Sequence, residues 1–232
     1  MEKIDIIKSI SERTGGDIYL GVVGAVRTGK STFIKKFIEN LVVPNIEDEY
    51  ERKRCLDEIP QTAQGKTIMT IEPKFVPSTA AKIKVEEFET NIKLVDCVGY
   101  VIPAAKGYED EMGEPRMVKT PWYDEDIPFV EAAEIGTEKV IRDHSTIGIV
   151  VTTDGSIGDI TRNNYIEAEN EVISELKEIG KPFIVLLNSA HPTLPETERL
   201  AEKLKEEHIV PVIPISAETM NEKDVYNILK EA

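Results

Sequence analysis

A short run near the N-terminus constrains this chain more than any other feature. It reads Gly24-Ala-Val-Arg-Thr-Gly29-Lys30-Ser31 and fits the pattern G-x-x-x-x-G-K-[ST] at every fixed position. At an average glycine usage of about 7%, a chance match in a chain of this length is on the order of one in a hundred. The run also lies between an apolar stretch, Ile18–Val23, and a helical one, Ser31–Asn40, which is the strand–loop–helix context of a phosphate-binding loop.

Each part of this loop suits a nucleoside triphosphate. Glycines let backbone N–H groups converge on phosphate oxygens, and the start of the following helix adds partial positive charge. We expect Lys30 to bridge the β- and γ-phosphates, the Ser31 hydroxyl to bind Mg²⁺ and Thr32 to reach the α-phosphate. The predicted nucleotide contacts of the loop are Gly24, Ala25, Val26, Arg27, Thr28, Gly29, Lys30, Ser31 and Thr32. The alternative is an ordinary glycine turn with an exposed lysine.

Short apolar runs alternate with amphipathic stretches along the chain. The predicted strands are Ile18–Val23, Ile92–Val95, Ile147–Val151, Phe183–Leu187 and Val210–Ile215, and the predicted helices are Met1–Thr14, Ser31–Asn40, Phe129–Arg142, Ala168–Ile179, Thr197–His208 and Glu222–Glu231. This order predicts an α/β fold with a mostly parallel sheet and helices on both faces. We expect one domain over residues 1–232, with a charged helical piece at Glu47–Ile59 and an insertion at Tyr100–Pro128.

A second motif, Asp96-Cys-Val-Gly99, follows another of the predicted strands. A carboxylate at such a strand end can hold Mg²⁺, and the Gly99 N–H can reach the γ-phosphate. A switch threonine that closes on the metal should lie between the two motifs. The candidates are Thr62, Thr67 and Thr70. The alternatives are a loop acid beside a turn glycine, and loop hydroxyls in contact with solvent.

The base-reading motif of P-loop GTPases, Asn-Lys-x-Asp, is incomplete. Phe183–Leu187 is followed by Asn188-Ser189-Ala190-His191, so a nucleotide contact from Asn188 is expected but the lysine and the aspartate are absent. A site that hydrogen-bonds guanine can reject an analogue by a factor of roughly 10⁴, and losing the acceptor removes most of that preference. ATP is therefore the expected substrate. His191 is either a base contact or an ordinary loop histidine.

Two further residues bear on the rate of hydrolysis. Tyr100 stands where many GTPases have a glutamine that orients water, so intrinsic hydrolysis should be slow, nearer to about 10⁻³ s⁻¹ than to the roughly 10 s⁻¹ of assisted enzymes. Arg27, inside the loop, either contacts the γ-phosphate or a neighbouring subunit or points outward, and the outward orientation is the preferred interpretation.

Charge and composition exclude several other classes. The formal charge of −15 opposes binding to DNA or RNA, so no nucleic-acid partner is expected. The two cysteines, Cys55 and Cys97, do not have metal-ligand spacing and suggest a reducing cytoplasm. The N-terminus lacks the apolar run of a signal peptide, and no stretch approaches the roughly 20 apolar residues of a membrane span.

Longer runs resemble a known family over the whole chain. They are GGDIYLGVVGAVRTGKSTFIKKF, GKTIMTIEPKFVP, KLVDCVGY, AKGYEDE, TPWY, EAAEIGTEKVI and TTDGSIGDI. They are similar to the N-terminal half of the stage IV sporulation protein A family, the spore-coat morphogenetic ATPases of endospore-forming bacteria. The resemblance implies a fold related to translation-factor GTPases, with ATP and Mg²⁺ as ligands. By motif, it makes Lys30 the loop lysine, Asp96 the metal-site acid and Thr70 the switch threonine. A second threonine is common beside the last of these, and here Ile71 takes its place.

The resemblance also implies where and with what such a chain works. Family members polymerise into a static shell around the forespore, in the mother-cell cytoplasm. Their partners are copies of themselves and other coat proteins, and they reach the membrane only indirectly, through a C-terminal region that engages an amphipathic anchor. We expect this chain to be the isolated ATPase domain, so that polymerisation and docking need regions beyond residue 232.

Three hypotheses follow from the sequence. The leading one is an ATPase whose hydrolysis changes a switch region and permits self-assembly. The second is a GTP-binding switch with a degraded base motif, and the third is a structural module that nucleotide merely stabilises. The insertion at Tyr100–Pro128 is either a partner surface, for which Trp122 and Tyr123 argue, or an acidic loop in contact with solvent.

Overall fold

Helices and strands alternate along most of the chain in the computed structural model, which describes residues 3–60, 73–105, 107–109 and 112–232. The strands are β1 (Asp17–Val23), β2 (Lys74–Val85), β3 (Phe88–Asp96), β4 (Met117–Thr120), β5 (Tyr123–Pro128), β6 (Ile147–Thr153), β7 (Phe183–Asn188) and β8 (Val212–Ile215). The α-helices are α1 (Lys3–Arg13), α2 (Lys30–Phe37), α3 (Glu49–Asp57), α4 (Phe129–His144), α5 (Ile166–Ile179), α6 (Pro195–His208) and α7 (Glu222–Glu231).

Six of the strands form one sheet in the order β2-β3-β1-β6-β7-β8. All neighbouring pairs are parallel except β2 and β3, which are joined directly and run antiparallel. The strand with the glycine loop, β1, lies between β3 and β6. The carboxyl ends of β1, β3, β6 and β7 therefore meet at one edge of the sheet, where α/β folds bind their ligands.

Apolar side chains alternate between the two faces of the central strands, and each face has its own core. On one face, Leu20 of β1 and Leu94 of β3 pack with α1, α2 and α7. On the other, Val150 of β6 and Val185 of β7 pack with α4 and α5. The predicted parallel sheet with helices on both faces is thus confirmed. None of the described helices is long and apolar enough to cross a membrane.

The predicted elements agree with the structure closely, with two additions. The strand β2 was not predicted, and it lies at the sheet edge with Pro77 in its course. Proline cannot donate to a sheet, so a strand containing it is tolerated at an edge but is hard to recognise from sequence. The predicted helix Ser31–Asn40 is α-helical only as far as Phe37, and a π-helical turn, Ile38–Val42, follows it.

The insertion at Tyr100–Pro128 contains a hairpin, β4–β5, at its C-terminal end. Val118 of β4 packs with Phe129 and Ala133 of α4, so the hairpin is anchored on the helix that follows it. Trp122 at the hairpin turn lies close to Lys139 of α4, with the ammonium 5.8 Å from the ring centre. Tyr123 next to it is 51% exposed. The acidic strand residues are on the surface, which explains why no apolar alternation revealed this hairpin.

A buried ion pair fixes the segment between β6 and α5. The guanidinium of Arg162 donates to both carboxylate oxygens of Glu169, at 2.7 and 2.5 Å, and also to the Thr152 hydroxyl and the Thr153 carbonyl oxygen. Only 2% of the Glu169 side chain is exposed. Because each charge has several partners, the pair holds the end of β6 against the start of α5.

Replacing Arg162 by methionine should lower the free energy of unfolding by about 3–5 kcal/mol, because it leaves the Glu169 carboxylate buried without its partner. Urea unfolding followed by circular dichroism measures the change. The matched control is Arg142→Met, which removes an exposed pair with Glu138 and should change stability by no more than about 0.5 kcal/mol. Equal effects of the two substitutions would contradict the structural role given to Arg162.

Candidate functional site

The glycine loop leaves β1 at Gly24 and enters α2 at Lys30. The backbone at Gly24 has φ +136°, and a Cβ atom there would collide with the carbonyl oxygen of Val151 on β6. Glycine is therefore required for the loop to turn so close to the neighbouring strand. The α2 N-terminus has no side-chain cap among the described residues, which leaves first-turn N–H groups directed at the loop.

The side chain of Lys30 lies inside the loop. Its ammonium donates to the carbonyl oxygens of Gly24, at 3.2 Å, and Ala25, at 2.7 Å, and the residue is 6% exposed. Burial lowers the pKa of Lys30, and the neighbouring Cys97 and Asp96 oppose that shift. The hydrogen bonds of this buried ammonium within the described residues go to neutral carbonyl oxygens, so phosphate oxygens would stabilise its charge further.

Beside Lys30, the predicted metal ligands come together. The Ser31 hydroxyl donates to Asp96 Oδ2 at 2.9 Å, while Asp96 Oδ1 is buried and has no hydrogen-bond partner within the part of the chain that the structure describes. Burial raises the pKa of Asp96, against the effect of Lys30 and of the Ser31 hydrogen bond. A buried carboxylate oxygen without a partner is costly, and a cation would satisfy it.

This donor set fits Mg²⁺. No group of three His, Cys, Asp or Glu side chains that could hold a metal occurs in the described ranges, so the site offers one hydroxyl and one carboxylate. Mg²⁺ typically takes one or two protein oxygens and completes its coordination with phosphates and water. Ser31 and Asp96 would therefore hold it, and the predicted third ligand, Thr70, lies outside the described residues, as do Thr62 and Thr67.

The chain after β3 lies directly against the loop. A Cβ atom at Gly99 would collide with the Gly24 carbonyl oxygen and approach the ammonium of Lys30, so only glycine fits there. The Tyr100 N–H donates to the Gly24 carbonyl oxygen at 3.2 Å, and the Val26 N–H donates to the Tyr100 carbonyl oxygen at 2.8 Å. The second motif is thereby placed beside the phosphate loop, as the sequence predicts.

The Tyr100 side chain takes no part in this contact. Tyr100 is buried in the core between the sheet and α4–α5, and its hydroxyl donates to the carboxylate of Glu175 on α5. Burial raises the pKa of Glu175 to about 7, and the neighbouring Glu178 adds to the rise. The hydroxyl at the position of the GTPase glutamine is therefore already engaged on α5.

Asn188, predicted as a nucleotide contact, joins two loops with its amide group. Its Nδ2 donates to the Thr28 carbonyl oxygen at 2.9 Å, and its Oδ1 accepts from the Ala217 N–H at 3.0 Å. Thr28 in turn donates its hydroxyl to the Ala25 carbonyl oxygen. The observed role of Asn188 is to hold the phosphate loop against the segment after β8, and a direct contact with the nucleotide stays a prediction.

The residues that follow Asn188 belong to a hydroxyl-rich cluster. Ser189 is fully buried; its hydroxyl accepts from the His191 N–H and lies 3.3 Å from that of Ser156. Asp154, just after β6, accepts hydrogen bonds from Ser156 and Thr197. Burial is the largest single effect on the pKa of Asp154 and raises it, but the hydrogen bonds together outweigh burial, so the pKa is lowered. The His191 side chain is exposed at the edge of this cluster.

Sequence reasoning missed part of this arrangement. The sequence motifs assign no role to Asp154, Ser156, Thr197 or Ala217. A strand-end acid and a polar turn after β6 were the available signals. The predicted contacts Arg27 and Thr32 are both partly exposed, within the loop and in the first turn of α2.

Comparison with known proteins identifies the relatives of this chain. Residues 1–232 match the family described as "Stage IV sporulation protein A, ATPase domain". The chain is 65% identical over 233 aligned residues to Stage IV sporulation protein A of Bacillus anthracis and 64% identical to that of Bacillus subtilis (strain 168), in each case over 100% of this chain and 47% of the relative. The protein of the same name from Clostridioides difficile (strain 630) is 53% identical over 97% of this chain and 46% of its own length. The chain thus spans about half the length of these relatives.

Replacing Asp96 by asparagine should weaken Mg²⁺ binding, because the buried oxygen facing the site loses its charge. With a non-hydrolysable triphosphate present, the Mg²⁺ concentration that half-maximally raises the melting temperature should rise at least about tenfold, or about 1.4 kcal/mol. Asp57→Asn, on the exposed surface of α3, should leave it unchanged. Identical Mg²⁺ titrations of Asp96→Asn and the wild type would remove Asp96 from the metal site.

Glu175→Gln should flatten the pH dependence of stability. The pKa of Glu175 is raised from 4.5 to about 7. Its contribution to the free energy of unfolding is therefore fully present below pH 4.5 and is lost as the pH rises to about 7. Allowing for its partial exposure, the variant should gain on the order of 1 kcal/mol over the wild type between these limits. Urea unfolding at several pH values measures this, with the exposed Glu167→Gln as control. If the stabilities of the wild type and of Glu175→Gln changed in parallel with pH, burial would not be raising the pKa of Glu175.

Proposed function

This chain belongs to the ATPase-domain family of stage IV sporulation protein A, and on that premise we propose that it is a slow, Mg²⁺-dependent ATP hydrolase. The products are ADP and phosphate. The observation that carries the proposal is the meeting of Lys30, Ser31 and Asp96 at the start of α2, where a buried ammonium and a buried carboxylate oxygen are both incompletely compensated. A triphosphate with Mg²⁺ supplies what both groups need.

The residues of the chain would act together on the triphosphate. The loop N–H groups and the α2 N-terminus bind the phosphates, and the Lys30 ammonium exchanges the Gly24 and Ala25 carbonyl oxygens for phosphate oxygens. Ser31 and Asp96 would hold Mg²⁺, which would neutralise charge on the phosphate oxygens. Water would bond to the γ-phosphorus as the bond to the bridging oxygen breaks, the leaving oxygen would keep the electron pair of that bond on ADP, and the proton lost by the water would pass to the released phosphate.

Adenine is the proposed base because the guanine acceptor is absent from the loop after β7. The discriminating aspartate is replaced by His191, and the stacking lysine by Ser189, which is buried and bonded within its own loop. Without an acidic acceptor, guanine is expected to bind little more tightly than adenine. Binding of GTP by a degraded motif is the alternative. ATP is the proposed substrate because it is the more abundant of the two nucleotides in cells.

Slow turnover is proposed from Tyr100. A water-orienting side chain must face the γ-phosphate, whereas the Tyr100 hydroxyl already donates to Glu175 on α5. Hydrolysis would then lack one of the parts that accelerate it in assisted enzymes. A slow hydrolase suits a protein that changes state once during assembly.

We infer a role in assembly from the family and place it outside the catalytic residues. Hydrolysis would change the segment between the two phosphate-site motifs and permit self-association into the layer beneath the spore coat, at the forespore surface in the mother-cell cytoplasm. The partners would be further copies of the protein and other coat proteins, with regions beyond residue 232 contributing. Contact with the membrane would be indirect and through those regions.

Phosphate release from ATP and from GTP tests the proposal. The wild type should release phosphate from ATP in the presence of Mg²⁺, and Lys30→Ala should abolish release and nucleotide binding, because it removes the buried ammonium of the loop. Lys35→Ala, on the exposed side of the same helix, is the matched control and should retain both.

Each contrary outcome has a distinct meaning. Preference for GTP by tenfold would favour the GTP-binding switch over the ATP hydrolase. A triphosphate that raises the melting temperature without any phosphate release would identify a structural module. Normal release by Lys30→Ala would show that the catalytic site lies elsewhere.

A further inference from the structure

Arg27 occupies a backbone conformation that glycine normally takes. Its φ is +65°, and among the described residues only Glu86 and Ile209 share a positive φ without being glycine. Such a conformation costs an L-residue roughly 1–2 kcal/mol. The loop thus has an arginine where glycine would adopt the backbone conformation at lower cost.

Both neighbours of Arg27 are fixed by hydrogen bonds. The Val26 N–H donates to the Tyr100 carbonyl oxygen at 2.8 Å, and the Thr28 carbonyl oxygen accepts from Asn188 Nδ2 at 2.9 Å. The Thr28 hydroxyl closes the loop on Ala25 at 3.0 Å. These hydrogen bonds to the chain after β3 and to the end of β7 fix the backbone at Arg27 and therefore the direction of its Cα–Cβ bond.

The guanidinium does not simply extend into solvent. Arg27 is only partly exposed, and its charge acts on Tyr165, which is buried at the start of α5. Burial raises the pKa of Tyr165, and the positive charge of Arg27 opposes that rise. The guanidinium thus lies within electrostatic range of α5, and the outward orientation preferred from the sequence stays a prediction.

The site also needs a second cation. Lys30 and Mg²⁺ neutralise only part of a triphosphate, and charge spreads over the γ-phosphoryl oxygens as the bond breaks. The whole chain carries a formal net charge of −15, and the Tyr100 hydroxyl is engaged on α5. A guanidinium held at the loop is the group that can donate two parallel hydrogen bonds to phosphoryl oxygens.

We propose that Arg27 is a catalytic residue that contacts the γ-phosphoryl oxygens of the triphosphate bound by its own chain. The inference rests on the proposed function, since it needs hydrolysis at Gly24–Ser31. The positive φ at Arg27 and the fixed neighbours on both sides hold its side chain in one direction within the loop that binds the triphosphate. The contact strengthens as charge develops, so it favours the transition state over the bound substrate.

The sharpest variant is Arg27→Gly, because glycine accepts the positive φ and removes only the side chain. The turnover number for ATP should fall at least about tenfold, while the dissociation constant measured by calorimetry stays within about threefold. Arg27→Lys should remain near Arg27→Gly in turnover, because an ammonium cannot form two parallel bonds. Ile209→Gly relieves the same backbone conformation at an exposed position at the end of α6 and should leave turnover unchanged.

Mixing variants separates the chain's own Arg27 from that of a neighbour. Lys30→Ala carries an intact Arg27 but cannot bind triphosphate, so adding it to Arg27→Gly should not restore phosphate release. Restoration would overturn the assignment to the same chain. Unchanged turnover of Arg27→Gly, or a parallel loss of turnover and affinity, would overturn the catalytic role while leaving the ATP hydrolase intact. Absence of hydrolysis by the wild type would instead defeat the proposed function itself.

Discussion

The burial of Lys30 and Asp96 side by side is the constraint on which the rest of the site depends. Each charge is withdrawn from water, so burial lowers the pKa of the lysine and raises that of the aspartate, and their mutual attraction offsets this only in part. The ammonium turns to carbonyl oxygens of the loop, while one carboxylate oxygen is left without a partner among the described residues. A site with these deficits is stabilised by a bound polyanion and cation.

The sheet provides the rigidity that such a site requires. With β1 between β3 and β6, the loop is bordered by Gly99 and Tyr100 on one side and by Val151 on the other. Asn188, from β7, adds a hydrogen bond from further along the same edge. The loop is thus fixed by main-chain contacts beside β3 and β6 and by the Asn188 amide at the end of β7, and side chains such as Arg27 take a defined direction from it.

The sequence predicts most of this, for reasons that differ by residue. The loop, Lys30 and Asp96 were predictable because the motifs are local and follow strongly apolar strands. The strand β2 was missed because an edge strand with a proline and many polar residues has little apolar alternation. The partners of Asn188, Thr28 and Ala217, were unpredictable because residues distant in the chain meet only once the sheet has formed.

Hydrogen–deuterium exchange with and without Mg²⁺-ATP tests whether the backbone of the glycine loop holds the triphosphate. Exchange should slow in peptides covering Gly24–Thr32 and at Gly99, where we expect N–H groups to bind the phosphates. The turn between β2 and β3, at the amino end of β3 and therefore at the opposite edge of the sheet, serves as the internal reference. Slowing confined to other segments, with Gly24–Thr32 unchanged at saturating Mg²⁺-ATP, would contradict the account.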